Sequence, residues 1–96
     1  MQRISTKDKI KKAGLMINEG KVDNLEMLYM FLPKRVVADI LGVNSVRFSN
    51  VKSNYPADFK VGELIKLSAA LDVEFDIIVN IFKNSLSQTV QEIELN

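Results

Sequence analysis

The chain has 96 residues, enough for a single domain with its own hydrophobic core, and 47% of them are hydrophobic and 26% charged, as in ordinary globular proteins. It contains neither Cys nor His, which excludes zinc fingers, thiol catalysis and a histidine base, and no residues suggest a metal ion, a cofactor or an enzyme site. Without a signal-peptide pattern or a membrane-length apolar run, we expect a cytoplasmic protein with no membrane partner.

The net charge of +1 conceals an uneven distribution along the chain. Residues 1–60 contain eleven Lys and Arg against six Asp and Glu, whereas residues 61–96 contain two against six. This asymmetry weakly favours a polyanion as the partner of the basic part. For the lysine-rich stretch 7–12 taken alone, a solvated helix face is at least as good an interpretation.

Two helices are predicted in the first third of the chain. The first opens with a capping pattern, Ser5 followed by Asp8, and forms an N-terminal basic helix within residues 1–21. The second follows another cap signal, Asp23 with Glu26 three residues later. It must end before residue 33, because a residue that precedes proline disfavours the α conformation.

The central segment predicts two short helices joined by a turn. The helix over about 33–41 starts at a proline, which suits the first helical position, and ends at Gly42 in the left-handed conformation. Asn44 then caps a helix over about 45–53. Ala38 is small enough for the two helices to approach closely. The face that packs onto the rest of the domain is predicted to consist of Val37, Leu41, Val43, Phe48 and Val51.

The remaining elements complete one all-α domain. Turn residues predict a loop over 54–58, and apolar spacing predicts helices over about 61–71 and 74–84. The tail, residues 85–96, suits either a helix extension or a short strand and is a candidate dimerisation segment. We therefore predict a compact bundle of about five helices, with the helix-turn-helix domain itself over 22–84.

The central segment and the helices after it resemble the lambda-repressor-like helix-turn-helix domain of the Cro and phage-repressor (XRE) type. The similarity covers about residues 25–82 and includes the stretch Leu67-Ser68-Ala69-Ala70-Leu71-Asp72-Val73. The overall pattern is also similar to small helix-turn-helix proteins of Bacteroides-like bacteria. The resemblance implies an all-helical DNA-binding domain, a transcriptional regulator and often a homodimer. The extra basic helix at the N-terminus departs from the family pattern.

The resemblance also implies which residues contact DNA. The base-contacting positions are Ser45, Val46, Ser49 and Asn50. The side-chain amide of Asn50 can form two hydrogen bonds with one adenine, at N6 and at N7, and Val46 can contact a thymine methyl group. The candidates for phosphate contacts are Lys34, Asn44, Arg47, Lys52, Asn54 and Tyr55. Since the family often has Gln or Arg at the base-contacting positions, we expect modest intrinsic sequence specificity.

Two functions are therefore expected from the sequence. The first is a sequence-specific protein that binds double-stranded DNA as a homodimer and inserts helix 45–53 into the major groove. Pairing is expected through the N-terminal helix or through Ile81, Leu86, Val90 and Ile93. The alternative is the same fold used as a protein-interaction module of the antitoxin or adaptor type, favoured by the apolar Val46. Asn50 is equally well a solvent-facing residue, and Tyr55 beside Pro56 is more often an anchor of the loop than a residue that stacks on nucleic acid.

Overall fold

The computed structural model describes the backbone of residues 6–95 and the side chains of residues 6–86. Over this part the chain forms helices α1 (Thr6–Asn18), α2 (Leu25–Phe31), α3 (Lys34–Leu41), α4 (Ser45–Asn50), α5 (Val61–Leu71) and α6 (Phe75–Leu95). Two 3-10 turns, Lys52–Asn54 and Pro56–Asp58, lie between α4 and α5, and residues 6–95 contain no strand. The predicted all-α class is confirmed. The Ser5 cap predicted for α1 lies outside the described residues.

The start of α2 differs by one residue from the predicted cap. Asn24, and not Asp23, is the N-terminal cap, because its Oδ1 accepts the backbone N–H of Met27 at 2.9 Å. Asn24 has the extended backbone that a capping residue needs, with φ −148° and ψ 175°. The helix ends at Phe31, before the proline, as predicted.

Helices α3 and α4 and the turn 42–44 between them form what we call the α3–α4 unit. α3 begins one residue after Pro33, because the ψ of Pro33 is 146° and lies outside the helical range. Gly42 ends α3 with φ 73°, as predicted, and the N–H of Val43 reaches back to the carbonyl of Ala38 at 3.0 Å. Asn44 caps α4 by accepting the N–H of Arg47 at 2.9 Å, which is also as predicted.

Helix α4 ends at residue 50, three residues before the predicted end. The hydroxyl of Ser53 donates to the carbonyl of Ser49 at 2.9 Å, and the side-chain amide of Asn54 donates to that of Asn50 at 3.2 Å. These side chains take the place of the backbone N–H groups that a continuing helix would supply. The chain therefore leaves the α conformation at residue 51 and forms the first 3-10 turn.

The predicted inward face is only partly correct. Three of its residues are buried, namely Val37, Leu41 and Phe48, and the small Ala38 is also buried. Val43 and Val51 are exposed, so the prediction for these two residues is wrong. Val43 follows the left-handed Gly42, and Val51 has φ −123° and ψ −73°. Both therefore lie outside the helical register from which the prediction was made.

An aromatic row crosses the core behind the α3–α4 unit. Phe48 packs edge-on against Tyr29 of α2 at 6.5 Å between ring centroids and against Phe59 at 5.9 Å. Phe59 in turn contacts Phe82 of α6 at 4.8 Å. Such edge-to-face pairs add stabilisation beyond the area that they bury. The row fixes the buried side of α4 relative to α2 and α6.

Helix α6 closes the bundle against the start of α2. The hydroxyl of Ser85 accepts the N–H of Leu25 at 2.9 Å, and the side-chain amide of Asn84 donates to the carbonyl of Asp23 at 2.7 Å. Beyond this point the chain continues as helix to residue 95, so the tail is a helix extension rather than a strand. Ile81 is buried in the core of its own chain, which removes it from the residues predicted to pair. Val90 and Ile93 have side chains outside the described part.

Candidate nucleic-acid interface

Helix α4 presents its exposed residues on the side opposite the buried Phe48. Val46 is 67% exposed, and Asn50, one turn later, is also exposed. Ser45 and Ser49 are half-buried. Residues four apart share a helix face, so Val46 and Asn50 form the outer edge of α4. The predicted base-contacting residues thus share one short helix, and two of them are exposed.

A shallow pocket of about 400 Å³ lies on the flank of α4 that carries Arg47 and Phe48. It is lined by Val43, Asn44, Arg47, Phe48, Val51 and Lys52. Val43 and Val51 are 37% and 50% exposed and stand four residues on either side of Arg47. Because most of its surface is apolar, we call it the valine pocket.

Three cations of the α3–α4 unit have no acidic partner among the described residues. Lys34 and Arg35 begin α3, and Arg47 lies in α4. None of them lies within 4.0 Å of a carboxylate in the part of the chain that the structure describes. The side chains of Arg35 and Arg47 are exposed, and Nζ of Lys34 lies 5.4 Å from the centre of the Tyr29 ring. Their charge is available to an external anion.

The start of α3 has an unusual electrostatic composition. Its first turn contains two cations and no acidic residue. A helix N-terminus carries partial positive charge, so cations there are unfavourable unless an anion binds nearby. Lys34 was among the residues predicted to contact phosphate, whereas Arg35 was not. Two successive cations at the start of a helix were the signal that could have identified it.

Lys52, in contrast, is engaged within the chain. Its Nζ lies 2.7 Å from Oε1 of Glu63 in α5 and 5.2 Å from the centre of the Phe59 ring. Burial of the Glu63 carboxyl opposes ionisation, but hydrogen bonds from Lys52 and from the Lys60 N–H outweigh this effect. They hold the pKa of Glu63 below its ordinary value. Lys52 therefore joins the 3-10 turn after α4 to α5.

The other residues predicted to contact phosphates do not share one surface. Lys34 and Asn54 line one open depression of about 480 Å³, whereas Asn44 and Arg47 line the valine pocket. The cap at α4 uses Oδ1 of Asn44 and leaves its amide N–H groups for another partner. Tyr55 borders neither depression and is 57% exposed, which does not fit an anchor packed on the domain.

The ring of Tyr29 lies next to the ammonium group of Lys34. Its hydroxyl is buried and has no hydrogen-bond partner among the side chains and backbone groups described. This burial raises the pKa of Tyr29 to about 12, so the phenol stays protonated at neutral pH. The ring therefore contributes packing and a cation–π contact to the site, and the hydroxyl contributes no internal bond.

Comparison with protein families, curated proteins and solved structures gives no match for this chain. Within the described residues, no helix is both long and apolar enough to cross a lipid bilayer. The same residues contain no cluster of three or more acidic side chains placed to hold a metal ion.

Proposed function

We propose that the protein is a sequence-specific double-stranded DNA-binding protein, a transcriptional regulator, that inserts α4 into the major groove. One observation carries this proposal. The three cations without acidic partners, Lys34, Arg35 and Arg47, belong to the same helix pair that exposes Val46 and Asn50. Recognition of a DNA duplex requires cations that contact the phosphates and, next to them, side chains that contact the base edges.

The cations supply the sequence-independent part of binding. Lys34 and Arg35 approach a phosphate at the start of α3, where an anion also compensates the helix end. Asn54 borders the same depression as Lys34 and donates a hydrogen bond from its amide. Arg47 contacts the backbone beside α4. Lys52 is excluded from this set because Glu63 neutralises it, and it acts by joining the 3-10 turn after α4 to α5.

The outer edge of α4 supplies the sequence-dependent part. Asn50 offers a donor and an acceptor to adenine N6 and N7, and Val46 packs on a thymine methyl group. Ser45 and Ser49 are half-buried, so their hydroxyl groups contribute polar contacts only close to the helix. With only six residues, α4 spans few base pairs. A homodimer that reads two half-sites about 34–36 Å apart provides the remaining specificity.

Alanine variants test this function. Binding of fluorescently labelled duplex DNA is measured at low salt for the wild type and for Lys34→Ala and Arg47→Ala. We expect both variants to weaken binding. Lys66→Ala, which removes an exposed lysine of α5, is the matched control and should bind as the wild type does. Equal affinities for all four proteins would overturn the proposal.

A second candidate is a protein-interaction module built on the same surface. The observation in its favour is the exposure of three valines around α4, namely Val43, Val46 and Val51. This function replaces the first if the chain does not retard duplex DNA and a stoichiometric protein partner co-purifies. In that case Val46→Asp should abolish the complex, whereas Arg47→Ala should leave it intact.

A further inference from the structure

The exposed surface of α4 carries valine where hydrogen-bonding side chains are expected. Val46 occupies a base-contacting position at the outer edge of the helix, and Val43 and Val51 wall the valine pocket. These side chains contribute little to the core of their own chain, because none of them belongs to the core cluster and their exposed fractions range from 37% to 67%. Their chemistry therefore suits an apolar group on the partner.

The polar side chains at the rim of the valine pocket indicate the chemical class of its partner. Arg47 stands between the two valines and forms no ion pair with any described residue, and Asn44 adds an amide at the same rim. Such a pocket suits an apolar group that is attached to an anionic polymer. In the major groove of DNA, base edges present hydrogen-bonding atoms and one kind of apolar group, the C5-methyl of a pyrimidine.

We propose that the valine pocket and Val46 bind C5-methyl groups of pyrimidine bases, with Arg47 holding the adjoining backbone. This inference rests on the proposed DNA-binding function and names the feature that α4 reads. Thymine and 5-methylcytosine present the same methyl group at the same place in the groove, whereas uracil and cytosine lack it. Specificity then comes mainly from apolar contact, because Ser45 and Ser49 are half-buried and leave Asn50 as the exposed hydrogen-bonding residue among the four predicted base contacts.

The experiment removes single methyl groups from the DNA. Duplexes that bind the full chain are enriched from a random-sequence library and resynthesised with deoxyuridine in place of each thymine in turn. At a contacted position we expect binding to weaken about fourfold, because one buried methyl group is lost. Two contacted positions together should weaken it about fifteenfold.

Protein variants locate the contacts. Val46→Ala and Val51→Ala should each remove the preference for thymine over uracil at one position. The matched control is Val61→Ala in α5, which is about as exposed as Val46 but does not line the valine pocket and should keep the preference. Retention of the preference in both Val46→Ala and Val51→Ala, or its loss in the control, would contradict the assignment.

A further arm compares cytosine with 5-methylcytosine at the same positions. A gain on methylation assigns the pocket to the methyl group on either base, and a gain with thymine alone assigns it to thymine. Equal binding of thymine and uracil duplexes overturns the methyl contact and leaves DNA binding intact. Absence of binding to every duplex overturns both proposals.

Discussion

Gly14 of α1 lies directly against the backbone of Leu71 at the end of α5. A methyl group at Gly14 would overlap the carbonyl oxygen of Leu71 and would lie 3.2 Å from its carbonyl carbon. Gly14 is buried, and the neighbouring Ala13 and Ile17 belong to the common core. Because Gly14 has no side chain, the basic helix α1 packs closely against the end of α5 at this point.

This contact makes Gly14 intolerant of alanine. Although alanine favours a helix by about 1 kcal/mol, the clash with backbone should leave Gly14→Ala less stable by roughly 1–3 kcal/mol. Gly62 in α5 is the matched control, because nothing lies within 4 Å of a Cβ built there. Gly62→Ala should be neutral or slightly stabilising in urea unfolding. Equal effects of the two substitutions would contradict the close approach of α1 and α5.

Removal of the Tyr29 hydroxyl should not destabilise the protein. Tyr29→Phe keeps the ring contacts with Phe48 and Lys34 and eliminates a buried hydroxyl without a partner among the described residues. We expect an unchanged or higher Tm at neutral pH. A lower Tm would mean that the hydroxyl has a bonding partner.

Tyr29 also predicts a loss of stability at alkaline pH. Its pKa is about 12 in the folded chain, whereas a tyrosine in an unfolded chain ionises near 10. The folded state therefore holds its proton more tightly, and stability falls as the pH rises from about 10 through 12. In the variant Tyr55→Phe, which leaves Tyr29 as the single tyrosine, phenol absorbance should titrate at about 12. A midpoint near 10 would contradict the burial.

The Lys52–Glu63 pair should stabilise the fold. Lys52→Met is expected to lower the free energy of unfolding by roughly 1 kcal/mol or more, since both side chains are mostly buried. Lys21→Met is the matched control, because its pair with Glu19 is exposed and should contribute little. If both variants unfold at the same denaturant concentration, the bridge has no structural role.

The same pair gives a pH dependence on the acidic side. Because the pKa of Glu63 is lowered in the folded state, its contribution is present at neutral pH and is lost as the pH falls through the folded pKa. Glu63→Gln should flatten the decline in stability below about pH 4.3, the ordinary Glu pKa. An identical decline in the wild type and the variant would contradict this.

Substitution of Asn44, the cap of α4, and of Asn50, its last residue, should separate an effect on stability from an effect on DNA binding. Asn44→Ala removes the cap of α4 and should cost about 1 kcal/mol of stability. Asn50→Ala changes an exposed side chain and should leave the unfolding curve unchanged while weakening binding to duplex DNA. The reverse pattern would show that Asn50 serves the fold.

The features that the sequence predicted correctly depend on neighbours along the chain. Gly42 and Asn44 were identified because a left-handed turn and a helix cap use residues only a few positions apart. The errors at Val43 and Val51 arose because burial depends on where a helix stops. Ser53 and Asn54 bond the last carbonyls of α4 through their side chains, and periodicity does not reveal such bonds.

Features that join distant parts of the chain were missed. The role of Gly14 depends on the backbone of Leu71, and the ion pair of Lys52 joins it to Glu63 in α5. No periodic pattern contains these relationships, since each requires the packing of one element against another.

The salt dependence of DNA binding tests the central claim most directly. The dissociation constant for duplex DNA is measured between 50 and 200 mM salt for the wild type and for the triple variant Lys34→Ala, Arg35→Ala, Arg47→Ala. The affinity of the wild type should fall steeply and linearly on a double-logarithmic plot, and the triple variant should lower the slope by about three. A flat wild-type plot, or the same slope in both proteins, would contradict DNA binding by the α3–α4 unit.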